Sequence, residues 1–168
     1  SHGFTPAPER PNALLIGGGV GIPPIIFLAE TLKDSDLPWQ PLVLMGSELP
    51  FPFELLESKI ATPWLPDEVR STMPLLEDWQ LTARLASLAG FAGVYKGFVT
   101  DLAREWLGSL ADEELQKTEL FACGPEAMLE ATAALARQFD LPCQVCLEEF
   151  MACAVGGCAG CAVLVQTD

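Results

Sequence analysis

The chain has 168 residues, half of them apolar, which is enough for one packed domain. Its formal charge of −14 (9 Lys and Arg against 23 Asp and Glu) argues against nucleic acid or an anionic membrane surface as a partner. No apolar run is long enough to span a bilayer and no secretion signal is recognisable, so a cytoplasmic protein is expected, in which six cysteines point to metal or redox roles rather than disulfides.

Residues 1–12 (SHGFTPAPERPN) are polar and proline-bearing and read as a linker. Ala13–Ile16 is a short apolar run, as expected of a strand buried on both faces. The glycine-rich turn GGGVG follows, and then a helical pattern in which Ile22, Ile25, Ile26, Ala29 and Leu32 share a face. Pro23 and Pro24 fit only in the first turn of that helix. Leu42–Met45 predicts a second strand, ending at Gly46. A helix is expected over Phe53–Ile60, within a stretch broken by four prolines between residues 50 and 66. A third strand is expected at Thr82–Ser87, and a helix over Leu102–Leu110 capped by Thr100 or Asp101. Glu119–Ala122 predicts a fourth strand, and Pro125 opens a helix with Met128, Ala131, Leu135 and Phe139 on one face. Gln144–Leu147 is the fifth strand. This alternation over residues 13–147 predicts an α/β domain, a five-stranded parallel sheet with helices on both faces. Ligands of such folds bind at the carboxyl ends of the strands.

Three motifs carry chemistry. Gly17, Gly18, Gly19, Val20 and Gly21 join a strand directly to a helix. Glycines there allow close backbone approach, and the helix N-terminus favours an anion such as a pyrophosphate. The spacing is not that of the common dinucleotide fingerprint, and a tight turn needing glycine for geometry alone is the competing reading. Cys123, Gly124 and Pro125 end a second strand, where Cys123 is expected to point into the crevice; a buried small residue followed by ordinary helix initiation is the alternative. Finally, Cys153, Cys158 and Cys161 have the C-x4-C-x2-C spacing of plant-type [2Fe–2S] sites, with small residues between them and no fourth cysteine after them. The competing reading is zinc, with Cys143 and Cys146 pairing Cys158 and Cys161 as two C-x2-C units. On a strand, positions i and i+3 face opposite ways, so Cys143 and Cys146 also read as small buried hydrophobes.

Taken in order, GGGVGIPPI, FACGPEAML and CLEEFMACAVGGCAGC resemble the electron-transfer subunit of dihydroorotate dehydrogenase, within the ferredoxin-NADP⁺ reductase superfamily. KGFVTDL (Lys96–Leu102) is similar to a further family segment. The resemblance runs from about Ala13 onward. It implies a ferredoxin reductase-like NAD-binding domain over residues 13–147, followed over 148–168 by an iron–sulfur segment. Gly17–Gly21 would hold the dinucleotide pyrophosphate. Cys123, Gly124 and Pro125 would lie near the nicotinamide and flavin, with Cys123 as the catalytic residue. Cys153, Cys158 and Cys161 would ligate a [2Fe–2S] cluster. FAD would sit mainly on a preceding domain, of which His2-Gly3-Phe4 resembles the tail. Electrons would pass to or from the FMN-containing catalytic subunit of dihydroorotate dehydrogenase, in pyrimidine biosynthesis, or a similar oxidoreductase such as a hydrogenase, in a hetero-oligomer.

The resemblance also implies that this chain lacks the flavin domain and the fourth cluster ligand, and so has little activity alone. In MGSELP, Glu48 just beyond Gly46 could bond ribose hydroxyls and would repel a 2′-phosphate, which favours NADH over NADPH; a solvated loop glutamate is the alternative.

Overall fold

The computed structural model describes residues 3–147 and the backbone of 162–164. Cys153, Cys158 and Cys161, and with them the cluster-binding expectation, lie outside the described residues.

The chain opens with β1 (Asn12–Gly18), buried throughout, then a 3₁₀ turn (Gly19–Gly21) and α1 (Ile22–Lys33). β2 (Gln40–Gly46) follows. Two short strands, β3 (Leu56–Glu57) and β4 (Ser71–Thr72), pair antiparallel, and α2 (Pro74–Asp78) leads to β5 (Thr82–Ser87). Next come β6 (Tyr95–Lys96), α3 (Val99–Ser109) and α4 (Asp112–Leu115). β7 (Thr118–Gly124), α5 (Glu126–Gln138), β8 (Cys143–Leu147) and β9 (Ala162–Leu164) complete the described fold.

The main sheet has the order β6-β5-β2-β1-β7-β8-β9. Six of its strands are parallel, and β9 runs antiparallel to β8. The expectation of five strands was therefore short. β6 adds only two residues to the edge of β5, too few to show a hydrophobic period. The helix expected over Phe53–Ile60 is also absent, replaced by loop and β3. Pro50 and Pro52 stand at its start and Pro63 just beyond it, and Leu55 and Leu56 stay exposed, so no apolar face is buried to stabilise a helix.

Two apolar cores flank the sheet. On one side α1 lays Ile22, Ile25, Ala29 and Leu32 against Ala13, Leu15, Val43, Met45 and Phe121. On the other, α3 and α5 lay Leu102, Leu107, Leu129 and Leu135 against Leu14, Ile16, Leu44 and Leu120. The buried face of α5 is Leu129, Thr132, Leu135 and Ala136, about one position beyond the stripe expected from Met128 and Ala131. Thr132 is accommodated there because its hydroxyl donates to the Met128 carbonyl at 2.8 Å. Neither Thr100 nor Asp101 is the cap of α3. Phe98 holds that position, and the Asp101 carboxylate accepts its N–H at 3.2 Å.

Residues 3–11 are strapped along the far end of the sheet. The Phe4 ring meets Phe121 edge-on at 5.6 Å. Thr5 exchanges two backbone hydrogen bonds with the Gln144 amide, at 2.9 and 2.7 Å. The buried Glu119 carboxylate accepts from the Ala7 N–H at 3.0 Å and from Gln144 Nε2 at 2.9 Å.

Candidate functional site

The sheet reverses its winding between β1 and β7. From β1 the chain steps outward through β2, β5 and β6, then returns to the other side of β1 as β7 and continues to β8. The helix after β1 covers one face and the helix after β7 covers the other. A crevice at the carboxyl ends of β1 and β7 is the consequence, and it is where open α/β sheets bind ligands.

Both glycine motifs lie on this crevice. Gly17 is in register with Cys123, and Gly18 with Gly46, so β1, β2 and β7 all end in glycine at neighbouring positions. The two loops are in direct contact. A Cβ placed on Gly21 would come within 2.0 Å of the Cys123 carbonyl oxygen and 2.5 Å of the Gly124 nitrogen. Only glycine permits this seating. Gly19 has φ +54°, the left-handed region where glycine is unstrained, and with Val20 it stands exposed at the mouth.

The glycines serve packing as well. On the α3/α5 side, Val99 sits over Gly46, and Met128 sits over both Gly18 and Gly124. These contacts let two helices start hard against the strand ends. The sequence could not announce Met128 in this role, because its spacing read only as a core stripe.

Three expectations about the site are sharpened. Pro23 and Pro24 occupy the second and third helical positions of α1 and carry no N–H, and the Ile22 N–H donates to the Gly19 carbonyl. Any backbone donors for an anion therefore come from the turn Gly19–Gly21 more than from the first turn of α1. Cys123 is only 4% exposed, and its side chain belongs to the α1-side core instead of projecting freely into the crevice. It is the backbone of Cys123 and Gly124 that closes on Gly21. Pro125 is the N-cap residue of α5, and Glu48 is exposed in the loop after β2, where Ser47 Oγ accepts the Leu49 N–H at 3.2 Å.

Cys143 and Cys146 face opposite sides of β8. Cys143 packs in the α3/α5-side core, and Cys146 against the α1-side core. One tetrahedral ion cannot take both without unpairing β8 from β7, which counts against the two-pair zinc arrangement. Burial pushes the Cys143 thiol up to about 12, and the Glu119 carboxylate adds to the effect.

A stability prediction follows from this thiol. Below pH 9.0 it is protonated in folded and unfolded chains alike. Above that, the unfolded chain ionises while the folded one keeps its proton. Stability should fall between about 9 and about 12, by up to about 1.4 kcal/mol per pH unit. Guanidinium unfolding of the wild type and Cys143→Ala at pH 8 and 10 checks it; the variant should lose part of the alkaline decline.

The fold is shared with part of two solved reductase structures. The structure of the Amycolatopsis cytochrome P450 reductase GcoB aligns over 82% of this chain and 38% of its own, with TM-score 0.56 and 19% identity. The ferredoxin reductase of carbazole 1,9a-dioxygenase aligns over 86% of this chain and 39% of its own, with TM-score 0.53 and 20% identity. No family model matches the sequence. Curated relatives give a narrower placement. The dihydroorotate dehydrogenase B (NAD(+)) electron transfer subunit of Caldanaerobacter subterraneus is 29% identical over 162 residues, covering 95% of this chain and 52% of the relative. The probable subunit of the same name from Methanopyrus kandleri is 33% identical over 153 residues, covering 90% and 48%. The chain is thus a homologue, along nearly its whole length, of dihydroorotate dehydrogenase B electron transfer subunits, and it spans about half the length of those relatives.

Proposed function

We propose that this chain is the dinucleotide-binding part of an electron-transfer reductase. It would bind NADH at the β1/β7 crevice and serve electron flow between NADH, FAD and a [2Fe–2S] cluster. The observation that carries the reading is the contact of Gly21 with the Cys123–Gly124 backbone, at the point where the sheet reverses. Two motifs about a hundred residues apart are closed on each other there, and they leave Gly19 and Val20 exposed at the mouth.

Gly17–Gly21 would hold the pyrophosphate, with the turn's backbone amides and the α1 dipole supplying the positive potential. Gly46 leaves room beside it, and Glu48 would meet the adenosine ribose, favouring NADH over a 2′-phosphorylated nucleotide. Cys123, Gly124 and Pro125 would form the nicotinamide end. The buried thiol of Cys123 suits a role in shaping that end more than in proton transfer. The flavin, when bound, supplies the hydride-accepting chemistry; this chain positions the donor.

Exposed Val20, Leu49, Leu88 and Phe98 follow β1, β2, β5 and β6 at the same end of the sheet. They form an apolar rim suited to covering by a flavin domain. Cys153, Cys158 and Cys161 would ligate the cluster, with a fourth ligand from elsewhere. The partner proposed is the FMN-containing catalytic subunit of dihydroorotate dehydrogenase: that the relatives are named electron transfer subunits of that enzyme supports a partner subunit, and the FMN is what the family resemblance implies. A hydrogenase or another oxidoreductase is the alternative partner.

The test is anaerobic expression of the protein followed by visible spectroscopy and iron, sulfide and zinc analysis. In the full-length protein, which would supply the fourth ligand, charge-transfer bands of a [2Fe–2S] centre with two irons per chain are expected; the present chain alone should hold the cluster weakly or not at all. A colourless protein that contains zinc and no iron would refute the cluster assignment.

A further inference from the structure

The chain holds a second polar site that the reductase reading leaves unused. Arg84 sits in the middle of β5, paired with Leu44 of β2, and is 1% exposed. Its neighbours Ala83 and Leu85 belong to the α1-side core, so the alternation of the strand turns Arg84 to the α3/α5 side. A buried guanidinium ordinarily has a carboxylate beside it, because an uncompensated charge is costly to bury. Among the described residues Arg84 makes no ion pair. NH1 donates to the Ala83 carbonyl at 2.7 Å; NH2 donates to the Ile60 carbonyl at 2.5 Å and to Thr62 Oγ1 at 3.1 Å. Its Nε–H, also buried, has no partner.

Arg84 lines a cavity of ≈ 710 Å³ between β5 and the segment 57–70. Lys59 and Arg70, both exposed, stand on its walls. Two of the nearby acids, Glu77 and Glu57, are engaged. Glu77 accepts from Ser58 Oγ at 2.8 Å and from the Lys59 N–H at 2.7 Å. Glu57, on the cavity wall, accepts from Arg70 NH1 at 3.2 Å, and Arg70 Nε donates to the Asp67 carbonyl. With Arg70 and Glu57 paired to each other, the wall offers Arg84, buried with an unused donor, and Lys59 against the Asp67 carboxylate, and Glu77 acts on Arg84 from nearby. It lies two strands from β1, about 10 Å across the sheet from the glycine crevice.

We propose that this cavity is an anion-binding site, separate from the dinucleotide crevice, that takes a small ligand bearing a carboxylate or phosphate group. The ligand's oxygens would supply the acceptor that Arg84 lacks and bridge it to Lys59 and Arg70. Because Arg84 already holds the carbonyl of Ile60, occupancy would also fasten the 57–70 segment to β5. The site is suited to an effector, since no crevice residue lines it.

Inorganic phosphate and succinate serve as probes, each titrated into the protein at ionic strength held constant with chloride. Melting temperature and backbone amide shifts are the readouts. Saturable binding of either probe is expected, with shifts centred on Lys59–Thr62 and Arg84 that persist when saturating NADH occupies the glycine crevice. Phosphate alone, succinate alone or both would define the ligand class. Lys59→Ala and Arg70→Ala, on the exposed wall, should each weaken binding about tenfold and leave NADH affinity unchanged. No saturable response to either probe, shifts centred on the glycine loop, or binding indifferent to both substitutions would overturn the proposal.

Discussion

Gly21→Ala is expected to be the most damaging glycine-to-alanine substitution among the described residues. The added Cβ would stand 2.0 Å from the Cys123 carbonyl oxygen and 2.2 Å from its carbon. Both are main-chain atoms of β7, paired to β1 on one side and β8 on the other, so neither can rotate away. Either the turn after β1 or the end of β7 must move, at a cost of at least about 3 kcal/mol. The same movement opens the crevice, so nucleotide binding should be lost in whatever fraction remains folded. Gly18→Ala is the control. Its Cβ would meet Met128 Sδ at 2.7 Å, the end of a flexible side chain. It should cost less, and Met128→Ala should relieve part of that cost. Urea unfolding midpoints of the wild type, the three single variants and the Gly18→Ala/Met128→Ala double variant decide the ranking.

Phe121→Ala should be comparably severe for a different reason. Phe121 is wholly buried in the α1-side core, and its ring also receives the edge of Phe4. Truncation leaves a cavity in β7 and removes the anchor of the N-terminal strap, at about 3–5 kcal/mol. Phe4→Ala, partly buried, should cost about 1–2 kcal/mol, and a double-mutant cycle between them should show coupling of about 0.5–1.5 kcal/mol. Exchange of the Thr5 and Ala7 amides reports the strap separately. Those protons bond Gln144 and Glu119, and they should lose protection in Phe4→Ala while the β1 amides keep theirs.

Much of the fold is legible in the sequence because the central strands are buried on both faces. ALLI, LVLM and ELFA are apolar runs with little polar interruption, and they became β1, β2 and β7. The glycine turn and the CGP triplet were legible as ends of buried strands at the carboxyl edge of the sheet. Their contact with each other was not, because nothing in either motif specifies the strand order that brings β7 beside β1. The helix expected over Phe53–Ile60 does not form for a physical reason: Phe53 packs on the α1-side core, but Leu55 and Leu56 stay exposed, so no helical face is buried there. β6 was too short to have a period. Two signals were overlooked: Arg84 and Glu119 are charged residues inside otherwise buried strands. A charge in such a place must be compensated by the fold, and these two residues hold the 57–70 segment and the N-terminal strap respectively.

The central claim is that the crevice formed by the two glycine motifs binds NADH. It is tested most directly by titrating the protein with NADH and mapping backbone amide shifts. The structure predicts saturable shifts at Gly17–Gly21, at Gly46–Glu48 and at Cys123–Gly124, with weaker binding of NADPH. Absence of a saturable response, or shifts confined to surfaces away from the carboxyl ends of β1, β2 and β7, would contradict it.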